Sequence, residues 1–260
     1  MRIGVRAHDF GKGTAEELAK KIEEINASCI QLALTKAISG LNTAPGTLNP
    51  GLAHHMRETF GQHHIQIAVL GCYINPLHPD SVERKKGLER FKEHLRFARD
   101  FGCSIVGTET GSLTADFSYH PDTHSEKGFN LILESVAELV TEAEKFGVFA
   151  GIEGVTKHSV STPEKMAQVL KTINSSNLQV IFDPCNFLSE ENYERQDDII
   201  KQSFDLFGDR IQILHAKDFV IANGKKKIVP IGEGLLNYKL LLSLIKKHKP
   251  YLEILLESVK

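Results

Sequence analysis

Four residues that could do chemistry each close a short apolar run. Glu153 follows "AGI", Asp183 follows "VIF", His215 follows "QIL" and Glu257 follows "ILL", at intervals of 30, 32 and 42 residues. A single acid in such a place is usually a helix cap or a surface ion pair. Four groups delivered at a recurring interval to one rim are different, because converging carboxylates repel one another and require a cation. Three carboxylates and one imidazole make a hard, oxygen-rich ligand set, suited to Mn²⁺ first, then Co²⁺ or Mg²⁺, and able to take Zn²⁺.

Other polar residues fall at the same run ends. Arg6, His8 and Asp9 follow the first run, Glu109 ends the fourth in "GTETG", and His158 lies just beyond Glu153. Asn186 lies three residues past Asp183, while Lys217 and Glu233 belong to the long stretch after His215. Arg6, His8 and Lys217 could bind hydroxyls, a carbonyl or a phosphate. The competing assignments are an ion pair of Lys217 with Asp218, and a cap of the first helix for His8 and Asp9. Cys185, next to the Asp183 position, reads as packing rather than as a thiolate ligand, and His54, His55, His63 and His64 read as surface residues.

The runs must be strands for these residues to meet. Eight occur, at 2–7, 29–34, 65–73, 104–109, 148–154, 178–183, 211–216 and 252–258. They are nearly continuous in apolar residues, the pattern of parallel strands buried on both faces. Helical patterns lie between them. Thr14 and Glu17 make a capping box before Leu18, Ile22 and Ile25, and Asp80 and Glu83 precede Leu88, Phe91 and Leu95 in the same way. Thr162 with Pro163 starts another helix, and Gly102 and Gly147 stop two. Weaker helices are expected at about 50–61, 196–207 and 237–248.

Strands alternating with helices at roughly thirty-residue spacing, with no linker, predict one domain over 1–260, a (β/α)₈ TIM barrel whose active site lies at the C-terminal strand ends. An open doubly wound sheet is the alternative, but no Gly-x-Gly-x-x-Gly follows the first run. With 31 basic and 33 acidic side chains there is no field to attract a polyanion, so nucleic acid is not an expected partner. Four scattered cysteines and a polar N-terminus, with no apolar stretch near ~18 residues, predict a cytoplasmic protein without a membrane partner. Apolar residues on the outer face could support a homo-oligomer.

The motifs "GIEG", "IFDPCN", "LHAKDF" followed by "VPIGEG", the terminal "ILLES" and the segment "YINPLHPD" resemble the sugar phosphate isomerase/epimerase family with the xylose isomerase-like barrel, over essentially the whole chain. The resemblance implies one divalent ion held by Glu153, Asp183, His215 and Glu257, with Glu153 and Glu257 also transferring protons. The implied activity is isomerisation or epimerisation of a ketose or ketose phosphate through an ion-stabilised enediolate.

The chain departs from the free ketohexose 3-epimerases, which carry a histidine where Asn186 stands, an arginine in the loop after His215, and a glutamate near the place of His158. The "HxKD…GEG" arrangement resembles the sugar-phosphate 3-epimerases and the inosose dehydratases, and implies Lys217 near the substrate and Glu233 organising the rim loop. A dehydratase of a keto-polyol is therefore the alternative activity. An abasic-site endonuclease would need extra histidines that are missing at Asn186 and after His215, and a barrel that only binds sugar would not need both glutamates.

Overall fold

The computed structural model describes residues 1–258, so the last two positions of the expected 1–260 domain lie outside the described residues. All eight apolar runs are strands. β1 (Arg2–Arg6), β2 (Cys29–Leu32), β3 (Gln66–Gly71), β4 (Ile105–Glu109), β5 (Phe149–Glu153), β6 (Leu178–Phe182) and β7 (Ile211–Ala216) lie side by side. After an antiparallel hairpin, β8 (Asp218–Ala222) and β9 (Lys225–Val229), strand β10 (Glu253–Leu256) pairs with both β7 and β1 and closes the barrel. Every barrel pairing is parallel. An open sheet is thereby excluded.

Six of the eight α-helices among the described residues start where a side chain satisfies free backbone N–H groups, a contribution of about 1 kcal/mol each. α1 (Ala15–Glu23) carries the Thr14–Glu17 capping box, and α2 (Leu34–Ala37) is a single turn. α3 (Pro50–Gln62) is capped by Asn49, α4 (Ser81–Phe97) by Asp80 and α5 (Glu126–Phe146) by Ser125, which leaves at Gly147 with φ 60°. α6 (Pro163–Ile173) is capped by Thr162, α7 (Gln196–Phe207) follows a short 3₁₀ turn, and α8 (Tyr238–His248) is capped by Asn237. The capping box at Thr14 assigns the start of α1 and leaves His8 and Asp9 free for other work.

Inside the barrel, Ile181 reaches toward β4 so closely that a Cβ on Gly107 would lie 2.4 Å from its Cδ1. Only glycine leaves room for that packing. Outside it, Phe182 packs edge-on against Phe204 and Phe207 of α7. Cys29, Cys72, Cys103 and Cys185 are buried and free. His54, His55 and His64 are exposed as expected, whereas His63 is half-buried with Nδ1 2.8 Å from Glu23 Oε2. Among the described residues no helix is long and apolar enough to cross a membrane.

The β8–β9 hairpin lies outside the eight apolar runs. Its turn is Asn223-Gly224, with φ 53° and 69°, joining Ala222 to its partner Lys225. A two-residue Asn-Gly connection with both residues in the left-handed region is the preferred short hairpin turn, so the signal was present in "IANGKKK".

Candidate metal and substrate site

Barrel closure brings the four strand-end residues together. Glu153 is the last residue of β5, Asp183 and Glu257 lie one residue past β6 and β10, and His215 is the penultimate residue of β7. One ligand atom from each lies within 4.8 Å of the others, and all four side chains are buried. His215 Nδ1 is 3.1 Å from Glu153 Oε2 and 3.2 Å from Glu257 Oε1. Yet His215 Nδ1 and Asp183 Oδ2 are buried without an aligned hydrogen bond. Three carboxylates and an imidazole nitrogen crowded around a common point suit a shared cation, and so the residues present fit a hard divalent ion.

Two basic side chains compensate part of this charge. Lys217 Nζ lies 2.7 Å from Asp183 Oδ2 and donates a hydrogen bond of 2.9 Å to Glu257 Oε2. Arg6 contacts Glu257 Oε1 at 3.1 Å through Nη1 and forks onto Asp9 through Nε and Nη2 at 3.2 and 2.9 Å. Asp9 also accepts from the Ser258 N–H at 3.0 Å, tying the start of the chain to its end beside the site. Lys217 therefore reaches Asp183 and Glu257 instead of pairing with Asp218, and Asp9 holds Arg6 instead of capping α1.

The electrostatics follow from burial and these contacts. Burial alone would push the Glu257 carboxyl up, but His215, Lys217 and Arg6 together outweigh it and hold it at about 2. Asp183, fully enclosed, is pushed up to about 6 by burial despite Lys217. Burial would lower His215 and Lys217. The surrounding carboxylates, Glu153 first for His215 and Asp183 first for Lys217, win in both cases, lifting His215 to about 9 and Lys217 well above its ordinary value.

The remaining candidates divide. Asn186 donates from Nδ2 to Glu153 Oε1 at 2.6 Å, so it orients the Glu153 carboxylate directly. Glu109 is the register partner of Glu153 across β4 and β5, and burial, then Glu153, push its carboxyl up to about 7. His158 is buried under Phe117, with Nδ1 3.7 Å from Glu109 Oε2, and burial lowers it to about 4. His8 is half-buried at the rim near Arg6 and Lys36, and burial, then those two cations, lower it to about 4. Glu233 is the exception. It is exposed on the loop after β9, and its backbone N–H donates to Pro230 O.

The loop is organised by Asp218 in place of Glu233. The buried Asp218 carboxylate accepts from the N–H groups of Phe219, Gly232 and Leu236 at 2.8, 3.1 and 2.9 Å. The Lys217 carbonyl accepts from Tyr238 Oη at 2.8 Å and from Cys185 Sγ at 3.1 Å. Cys185 is thus a packed thiol that braces the site, and burial pushes its pKa up.

Sequence reasoning missed Gln31, Tyr73 and Lys36. Gln31 ends against His215, Tyr73 bonds Gln31, and Lys36 Nζ stands 3.8 Å above the Tyr73 ring. The available signal was Gln31 as the one polar residue inside "CIQLAL". Beyond Tyr73 a cleft of about 560 Å³ opens between Asn42, Asn75, His78, Arg90 and Phe117.

Comparison with known proteins follows the same lines. Residues 19–258 match the family described as xylose isomerase-like TIM barrel. Uncharacterized protein MJ1311 of Methanocaldococcus jannaschii is 23% identical over 255 residues, 95% of this chain and 80% of its own length. The probable L-ribulose-5-phosphate 3-epimerase UlaE of Mycoplasma pneumoniae is 29% identical over 175 residues, 66% of this chain. The match spans about half, 52%, of that relative. Among solved structures, a xylose isomerase-like TIM barrel protein from Mycobacterium smegmatis in complex with magnesium superposes with a TM-score of 0.76 at 16% identity, covering 98% of this chain and 89% of that one. At that identity the likeness is one of fold.

Proposed function

Because the chain belongs to the xylose isomerase-like TIM barrel family, we propose that it is a divalent-metal-dependent isomerase or epimerase of a ketose or ketose phosphate. The observation that carries this reading is the Glu153, Asp183, His215 and Glu257 cluster, with ligand atoms within 4.8 Å of one another and both glutamates against the imidazole Nδ1. A bound Mn²⁺, Co²⁺, Mg²⁺ or Zn²⁺ would be held by these four residues and would supply Lewis-acid stabilisation of negative charge developing beside a carbonyl.

The chain's own residues do the rest. Glu153 and Glu257 take and return the carbon-bound proton, and inversion follows if one removes it and the other replaces it from the opposite face. Asn186 fixes Glu153 by holding Oε1, which leaves Oε2 toward the reacting centre. Arg6 and Lys217 supply positive charge for hydroxyls or a phosphate, and His8 and His158, both neutral at pH 7, offer hydrogen bonds at the rim. The uncharacterised relative adds no activity, and the epimerase named for the other agrees with the reading.

A dehydratase is the second reading, favoured by Glu109, whose carboxyl at about 7 retains a proton near neutrality and could donate it to a leaving hydroxyl. The test is incubation of the Mn²⁺-loaded protein in D₂O with ketoses, ketose phosphates and inososes, following deuterium at carbon by NMR. Exchange with an inverted or isomerised product supports the first reading, and exchange with loss of water supports the second. A protein that binds these sugars tightly, with metal, yet exchanges no carbon-bound proton overturns both.

A further inference from the structure

Gln31 sits in a place that ordinary core packing does not explain. It lies in the wholly buried strand β2 and is itself 1% exposed. A buried amide costs about 1–3 kcal/mol for each group left unpaired, so leucine would be the simpler choice. The register of β2 against β3 slips by one residue between Ile30 and Gln31. Such irregularities re-aim side chains near functional sites. Here Gln31 Oε1 lies 2.8 Å from His215 Nε2, a contact between residues 184 positions apart.

The other end of the amide is also held. Gln31 Nε2 donates to the Tyr73 hydroxyl, and the Tyr73 ring is covered by the Lys36 ammonium at 3.8 Å from its centroid. With the NH₂ group committed to Tyr73, Gln31 presents a carbonyl oxygen, an acceptor only, to the imidazole. His215 Nε2 then keeps its hydrogen, and Nδ1 is the nitrogen left to give up its hydrogen when an ion binds. Nδ1 is the nitrogen that faces Glu153 and Glu257. A rotated amide would turn an N–H toward Nε2 and accept nothing from it, so Nδ1 would hold its hydrogen against the carboxylates and exclude an ion.

We propose that Gln31, locked by Tyr73, is a positioning residue that selects the tautomer of His215 and so presents Nδ1 to the divalent ion. This rests on the metal-dependent reading above, and it adds two residues on β2 and after β3 to the four ligands. An acceptor that orients a ligating histidine is worth 10–100-fold in metal affinity in other sites, about the effect expected here.

The experiment measures Mn²⁺ affinity, from the EPR signal of free Mn²⁺, for the wild type, Gln31→Leu, Gln31→Glu and Tyr73→Phe. Gln31→Leu is expected to bind about 10–100-fold more weakly, with its circular dichroism unchanged. Gln31→Glu keeps an acceptor toward Nε2–H and is expected to remain near wild type, a rescue that a packing role would not produce. In ¹⁵N-histidine-labelled wild type loaded with Zn²⁺, His215 is expected to show a metal-bound Nδ1 and a protonated Nε2. That measurement stands even if Gln31→Leu fails to fold. Unchanged affinity in a folded Gln31→Leu variant, or ligation through Nε2, overturns the Gln31 role and leaves the metal reading standing. A wild type that takes up neither ion overturns both.

Discussion

Lys217→Met tests the electrostatic account of the site most directly. The substitution keeps an apolar stem of similar length and removes an ammonium that lies 2.7 Å from Asp183 and 2.9 Å from Glu257. All three side chains are buried. Breaking a buried pair from one side leaves uncompensated charge and costs about 3–5 kcal/mol. For a chain of this size each kcal/mol moves Tm by about 2–4 °C, so the expected loss in the presence of a chelator is roughly 6–20 °C. Saturating Mn²⁺ changes the comparison, because an ion among the four ligands neutralises the same carboxylates. At one hundred times Kd it adds about 2.7 kcal/mol to a site that binds it. Because no ammonium competes for its carboxylates, the variant should bind the ion more tightly than wild type and gain more from it, so its loss with Mn²⁺ should be smaller than its loss with chelator. The assay is differential scanning fluorimetry at about pH 8, with chelator and with Mn²⁺. Equal losses in the two conditions, or no loss with chelator, would refute the argument that lysine and metal compensate the same charges.

Three further outcomes are expected. Glu257→Gln should keep the fold and part of the metal affinity while slowing proton exchange at the substrate carbon by several orders of magnitude, since it removes a proton acceptor and leaves the shape; undiminished exchange by NMR would exclude the two-glutamate mechanism. His94, buried in α4 with Nδ1 2.8 Å from Arg90 O, is held at about 4 by burial against an ordinary 6.5. The unfolded chain therefore binds this proton first, so the stability it carries is full above pH 6.5 and is lost as pH falls toward 4. His94→Gln should remove about 2–3 kcal/mol from the difference in urea stability between pH 7 and pH 4.5, and an unchanged difference would show that His94 does not titrate as described. Asp218→Ala should raise amide exchange at Phe219, Gly232 and Leu236 by an order of magnitude or more, because three N–H groups lose their acceptor together. Exchange confined to one of the three would mean that the loop does not depend on Asp218 as a unit.

The sequence by itself determined the strands, most helix starts and the four strand-end residues. These are local properties: an apolar run, a capping residue and a covalent spacing of about one strand and helix are all written within about forty residues. The Asn223-Gly224 turn is equally local. Tertiary structure alone decided which polar residues meet. Lys217 could have paired with its neighbour Asp218, but the end of β7 sends its side chain inward to Asp183 and Glu257 and leaves Asp218 to collect backbone N–H groups from the hairpin loop. Glu233, given a loop-organising role by motif alone, is exposed, because that role needs a buried acceptor at the base of the hairpin. Gln31 and His215 touch only because β2 and β7 belong to the same closed barrel, and no periodicity along the chain encodes a contact across its interior.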